Sequence, residues 1–159
     1  MKHLPKAEAL AAIAAEASAG CRMCEFVREQ DPIATTEHAV ALLDRYASRP
    51  GHVLVVARRH EESVAALAWE EYAAIQKLVW NMCRAMEHAF APRRIYVAAL
   101  GSADAIETSF PHLHIHLVPL ANGGEVDRPA NVFTWTNGIY VFESRDEERT
   151  MRDQLRRAL

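Results

Sequence analysis

Pro111-His112-Leu113-His114-Ile115-His116-Leu117-Val118-Pro119-Leu120 decides how this chain folds. Histidine alternates with Leu and Ile, and an extended backbone sends alternate side chains to opposite faces. The three imidazoles therefore share one face of a strand spanning residues 111–120, closed by Pro119. On a helix the same spacing would turn the middle histidine away from its neighbours and scatter the leucines. One histidine on such a strand would be ordinary polar facing, but three in register point to a site. The outer two stand roughly 13 Å apart along a strand, too far to share one ion, whereas adjacent members can share a ligand or a proton. A neutral imidazole is a competent nucleophile toward phosphorus and titrates near neutrality. One ring can attack while a neighbour gives a proton to the leaving group or to a phosphate oxygen. That division of labour needs no metal at the reaction centre.

Outward from this strand, the chain alternates strand and helix signals. Residues 38–43 are rich in Val, Ala and Leu and read as a strand, residues 46–51 with Ser48, Pro50 and Gly51 as a turn, and residues 52–57 as a β-branched strand, which together make a hairpin. Tyr72, Ile75, Val79, Met82, Met86 and Phe90 recur at three- and four-residue steps, the mark of an amphipathic helix over 69–90 that Pro92 stops. Residues 94–100 form another strand, 101–110 a polar loop and 122–124 a Gly-rich turn. Two short strands at 131–135 and 139–142 and a charged helix over 145–158 complete the expectation. The order is α+β, an antiparallel sheet with covering helices. The alanine-rich N-terminus, residues 6–19, reads as an amphipathic helix with Leu10, Ile13, Ala14 and Ala17 on one face. Glu8 and Glu16 interrupt the uncharged run that an export signal ending at Cys21 would need.

Cys21 and Cys24 form a Cys-x-x-Cys pair, which can reach one ion from a tight turn or act as a redox dithiol. No βαβ unit follows it, which weakens the redox reading. His60 at the end of a strand and His112 at the head of the histidine run offer two further ligands, and Cys2His2 makes a closed, structural zinc site. Cys83 sits on the apolar side of its helix as a small core residue. His3, His38 and His88 read as surface or core filler.

At 159 residues with half its residues apolar, a quarter charged and a net charge of −3, the chain reads as one soluble domain, 1–159, large enough to bury a core without disulfides. Three cysteines suit a reducing compartment, hence a cytoplasmic setting. No basic excess points to nucleic acid, and no stretch approaches the length of a membrane span.

These residues resemble the histidine triad (HIT) superfamily. His112 to Val118 has the form His-φ-His-φ-His-φ-φ, and Pro50-Gly51-His52-Val53-Leu54-Val55-Val56 with Arg58-Arg59-His60 looks like the family's other strand. The resemblance covers about residues 21–120, leaving 121–159 as a C-terminal extension anchored by Trp135 and Tyr140. It implies an α+β fold that dimerises. It also implies hydrolysis or transfer of a nucleoside phosphoramidate, dinucleoside polyphosphate or nucleotidyl conjugate at the α-phosphate, through a covalent nucleotidyl-histidine. His114 would be the nucleophile and His116 would contact the phosphate. Asp44 would bind the ribose hydroxyls and Ser109 the phosphate, while Met23 stands where the family often has an aromatic beside the base. Zinc would be held by Cys21, Cys24, His60 and His112, as in the zinc-bearing bacterial branch. The sequence departs from the family at Ala57, often proline, at Glu107-Thr108, often Gly-Gln, and at Leu120, often arginine. Two other functions compete. One is a catalytically weak nucleotide-binding or partner-binding module, against which the intact triad speaks. The other is a zinc hydrolase, against which four candidate protein ligands speak.

Overall fold

The computed structural model describes residues 1–16, 20–100, 110–121 and 125–159. The chain opens with β1 (Lys2–Leu4) and α1 (Lys6–Ala15), and α2 (Arg22–Glu29) starts directly behind Cys21. Next come β2 (Ala34–Thr35), β3 (Ala39–Leu43) and β4 (Val53–Ala57), then the long helix α3 (Trp69–Phe90), β5 (Arg94–Ala98) and β6 (His114–Leu120). The last elements are α4 (Pro129–Phe133), β7 (Ile139–Val141) and α5 (Arg145–Ala158). Five strands make an antiparallel sheet in the order β2-β3-β4-β6-β5, and β1 pairs with β7 in a separate ribbon.

Both faces of the central sheet are covered, which is why β4 reads Val-Leu-Val-Val-Ala and is buried at every position. Ala41, Val55, Ile115 and Leu117 face α3, whose Ile75, Leu78, Val79, Met82, Ala85 and Met86 form one apolar stripe against them. The other face presents Val40, Leu42, Leu54 and Val56 to Met23 and Phe26 of α2. Register then fixes the site, because His114 lies opposite Val56 and His116 opposite Leu54. Further along β6, Val118 and Leu120 bury under Val132 and Phe133 at α4. The two histidines thus occupy the gap between α2 and α4, over the same sheet face.

Several sequence expectations need correction. The strand over 111–120 begins only at His114; His112 instead donates its backbone N–H to the Phe110 carbonyl at 2.8 Å in a bend ahead of the strand. Residues 131–135 do not form a strand, since Pro129 at the first helical turn starts α4 and Val132 turns into the core. The expected helix over 6–19 ends at Ala15, and 17–19 lie outside the described residues. Most of the 101–110 loop and the 122–124 turn lie outside them too. The Cys-x-x-Cys pair sits not in a turn but across the start of α2, with Cys21 at its N-cap. The strand expected over 94–100 closes at Ala98, and β1, β2 and α2 were not anticipated.

Candidate active site

Two backbone carbonyls set opposite tautomers on neighbouring histidines. A carbonyl oxygen can only accept, so His114 Nδ1, 2.6 Å from the His112 carbonyl, carries the proton and leaves Nε2 with a free lone pair. His112 points the other way. Its Nε2 donates to the Ala57 carbonyl at 2.8 Å, which frees Nδ1. That freed nitrogen lies 3.3 Å from Cys21 Sγ and 3.5 Å from Cys24 Sγ, and Cys24 Sγ lies 3.6 Å from His60 Nδ1. Tetrahedral zinc with sulfur near 2.3 Å and nitrogen near 2.05 Å requires S···N separations of roughly 3.6 Å. The four donor atoms all lie within 4.8 Å of one another, so this cluster fits zinc, and the Ala57 carbonyl is the outer hydrogen bond that orients such a ligand. Burial, seconded by the neighbouring Cys21, holds the Cys24 thiol above its ordinary range, and burial lowers His112, keeping it neutral. A bound cation would reverse the first effect and use the second.

A second chain of polar groups lies behind His116. Its Nδ1 is 3.0 Å from His52 Nε2, and His52 Nδ1 is 3.0 Å from Asp44 Oδ2. The Ser48 backbone N–H, which can only donate, points at the same His52 Nδ1 from 3.3 Å. His52 Nδ1 is therefore an acceptor, and the His52 proton sits on Nε2 and is donated to His116 Nδ1. His116 then presents an N–H at Nε2. Asp44 completes the chain as the protonated donor, the state that burial favours by raising its carboxyl, while its Oδ1 accepts the Tyr46 N–H at 2.9 Å. Burial pushes both rings down to about 3, with His114 adding to each and His52 also lowering His116, so both are neutral imidazoles. Asp44, His52 and His116 also form a potential cation cluster. Asp44 and His116, however, meet opposite nitrogens of one imidazole, which suits a proton chain better than coordination.

His114 and His116 stand with ring centroids 4.8 Å apart, inclined at 68°. Two spaces adjoin them. One of about 30 Å3 is bounded by Met23, Arg22, Asp44, His114, His116 and Trp135. The other, about 300 Å3, is lined by Asp44, His52 and His116 together with Lys6, Phe133 and Trp135. A wider cavity of about 750 Å3 between α1, α2 and α5 contains no histidine and carries no comparable chemistry.

The structure brings together Met23, Asp44, His114 and His116, and separately Cys21, Cys24, His60 and His112. Ser109 lies outside the described residues. Sequence reasoning missed His52, although it shares the parity of Leu54 and Val56 on the site face of β4. It also missed Arg22, whose guanidinium lies over Phe26, Tyr46 and Phe110 and bonds Glu16 Oε2 at 2.5 Å. Trp135 was read only as an anchor. Its φ of 57° is unusual for a bulky residue, and no local signal places its side chain beside the histidines.

The family model described as "HIT domain" matches residues 25–123. An uncharacterized HIT-like protein of Mycoplasma genitalium is 25% identical over 111 residues, covering 68% of this chain and 78% of its own. Among solved structures, a HIT-like protein from Bartonella henselae superposes with a TM-score of 0.69 at 19% identity, covering 90% of this chain and 98% of that one. A zinc-bound histidine triad family protein from Mycobacterium smegmatis superposes with a TM-score of 0.64 at 21% identity, covering 89% and 96%.

Proposed function

The chain belongs to the HIT domain family, and from that premise we propose that it is a nucleotidyl hydrolase or transferase whose covalent intermediate forms on His114. The observation that carries this reading is the hydrogen bond from His114 Nδ1 to the His112 carbonyl, which leaves Nε2 unprotonated on a ring whose centroid lies 4.8 Å from that of His116. Nε2 attacks the α-phosphorus of a nucleoside phosphoramidate, dinucleoside polyphosphate or nucleotidyl conjugate. The N–P bond forms as the bond to the leaving group breaks, and the leaving group takes the proton from His116 Nε2. The His52–Asp44 chain can replace that proton. Water then attacks the phosphorus and gives its proton to His116 Nε2, which restores the chain as the N–P bond breaks, so the nucleoside monophosphate departs and His114 is regenerated. Met23 packs under the base, Asp44 lies where both spaces meet and can accept from ribose hydroxyls, and Ser109 serves as a phosphate contact.

Zinc, in this reading, is structural. Cys21, Cys24, His60 and His112 would hold it, and it would cross-link the start of α2, the end of β4 and the approach to β6. With four protein donors, no position is left to activate water. The family expectation of a homodimer fits the position of β5, an edge strand with Val97 half exposed.

Turnover of adenosine 5′-phosphoramidate by the wild type, His114→Ala and His116→Ala tests the assignment. His114→Ala should lose at least about a thousandfold in kcat, and His116→Ala should lose most on substrates with poor leaving groups. Equal AMP release by all three proteins would sink the reading. The alternative is a binding module on the same fold, and both readings require the base to be admitted. The space of about 30 Å3 beside Met23 is too small for a nucleobase unless Arg22 or Trp135 changes rotamer. Tight AMP binding without any turnover would decide for that alternative.

A further inference from the structure

The larger of the two spaces beside His116 is built in part by residues outside the stretch that matches the family, namely Lys6 at the start of α1 and Val132 to Trp135 around the end of α4. The β1–β7 ribbon brings them together, since Leu4 pairs with Ile139 and His3 with Tyr140. His116 lines this space and His114 does not. His116 also borders the smaller space beside His114, so the larger space is the exit that takes a leaving group protonated by His116 clear of the nucleophile. Burial keeps the rings of His52 and His116 neutral and raises the Asp44 carboxyl, so this triad contributes no cation to the space. Among the described residues lining the space, Lys6 is the one Lys or Arg, and Pro5 ahead of it leaves the first turn of α1 without a side-chain cap. Phe133 stands edge-on to His116 with centroids 5.9 Å apart, and Trp135 closes the wall from a strained backbone.

Resting on the nucleotidyl-transfer reading above, we infer that this cavity is the leaving-group subsite, and that Lys6, which lines it together with Phe133 and Trp135, selects compact leaving groups that carry an anionic group. At about 300 Å3 the space sits at the lower end for small-molecule pockets, which sets the size. Lys6 is exposed, so its preference is modest and falls with salt.

A matched pair of substrates reads this out: AMP joined through its phosphoramidate nitrogen to glycine, and the same conjugate of glycinamide, which differ by one charge. In the wild type at low salt, kcat/KM should favour the glycine conjugate by about threefold to fivefold. Lys6→Met should remove the preference, Lys6→Arg should keep it, and added salt should shrink it. A preference that survives Lys6→Met, or equal turnover of both conjugates by a wild type that still depends on His114, overturns this inference and leaves the parent reading standing. Failure of the wild type to cleave either conjugate while it still releases AMP from adenosine 5′-phosphoramidate overturns this inference alone, and failure on all three substrates overturns both.

Discussion

At the scale of single residues, the site works because carbonyls and burial, rather than neighbouring charges, decide where protons sit. His112 and His114 hold opposite tautomers two residues apart, one aimed at the thiols and one at the cleft. The alternation of 112, 114 and 116 was legible in the sequence. The division between them was not, because it depends on which carbonyl each ring meets in the folded chain. His52 escaped notice for a similar reason, being one of eight histidines until β4 and β6 are in register. Its burial has a measurable consequence. His52 and His116 are held near 3 when folded against 6.5 when free. Their contribution to stability is thus full above pH 6.5 and is lost as pH falls from 6.5 toward 3, when the unfolded chain takes up protons that the native state refuses. Asp44, raised by burial, acts in the opposite sense, contributing most below its free value of 3.8 and losing that contribution as pH rises through its folded value. Each ring can add up to about 1.4 kcal/mol per pH unit within the window. Urea unfolding at pH 7 and pH 5 should show lower stability at pH 5, and a shallower drop for His52→Gln, which leaves the zinc ligands untouched. Equal pH dependence in the two proteins would contradict this.

At the scale of elements, the central sheet was readable because β3 and β4 are short unbroken apolar runs of strand length, β6 alternates histidine with aliphatics at its start, and α3 keeps its 3.6-residue stripe across 22 residues. The short pieces were not. α2 spans eight residues and was hidden by its cysteines, and α4 spans five, too few for any period to show. β1 has three residues and pairs only across more than 130 residues with β7, which the sequence did announce at 139–142 and which closes at Val141. What fixes their ribbon is Gly138, at φ +76°, where a Cβ would lie 2.3 Å from the Leu4 carbonyl oxygen and 2.7 Å from His3 Nε2. Gly138→Ala should therefore lower stability by about 2 kcal/mol through strain and loss of the ribbon. A denaturant midpoint unchanged from the wild type would refute that. Because the ribbon carries Lys6 to the cavity, the variant should also blunt the choice between anionic and neutral leaving groups.

At the scale of the whole molecule, the cluster of Cys21, Cys24, His60 and His112 draws together three segments distant in sequence, at 21–24, 60 and 112. Removing zinc with a strong chelator should lower Tm, while the fraction that stays folded keeps turnover. Loss of all activity with Tm unchanged would assign the ion to catalysis instead. No helix among the described residues is long and apolar enough to cross a membrane. Sedimentation should report twice the 17.8 kDa chain mass, and a charged substitution at Val97 on edge strand β5 should shift it toward the monomer; a monomeric wild type would reject the dimer.

The proposed reaction requires a nucleotide to become bonded to one ring nitrogen of β6. Rapid alkaline quench of the reaction with adenosine 5′-phosphoramidate, followed by peptide mapping by mass spectrometry, measures that bond directly. An adenylyl group on His114 in the wild type, absent from His114→Ala, is the expected result. An adduct on another residue, or AMP released at the wild-type rate by His114→Ala, would contradict it.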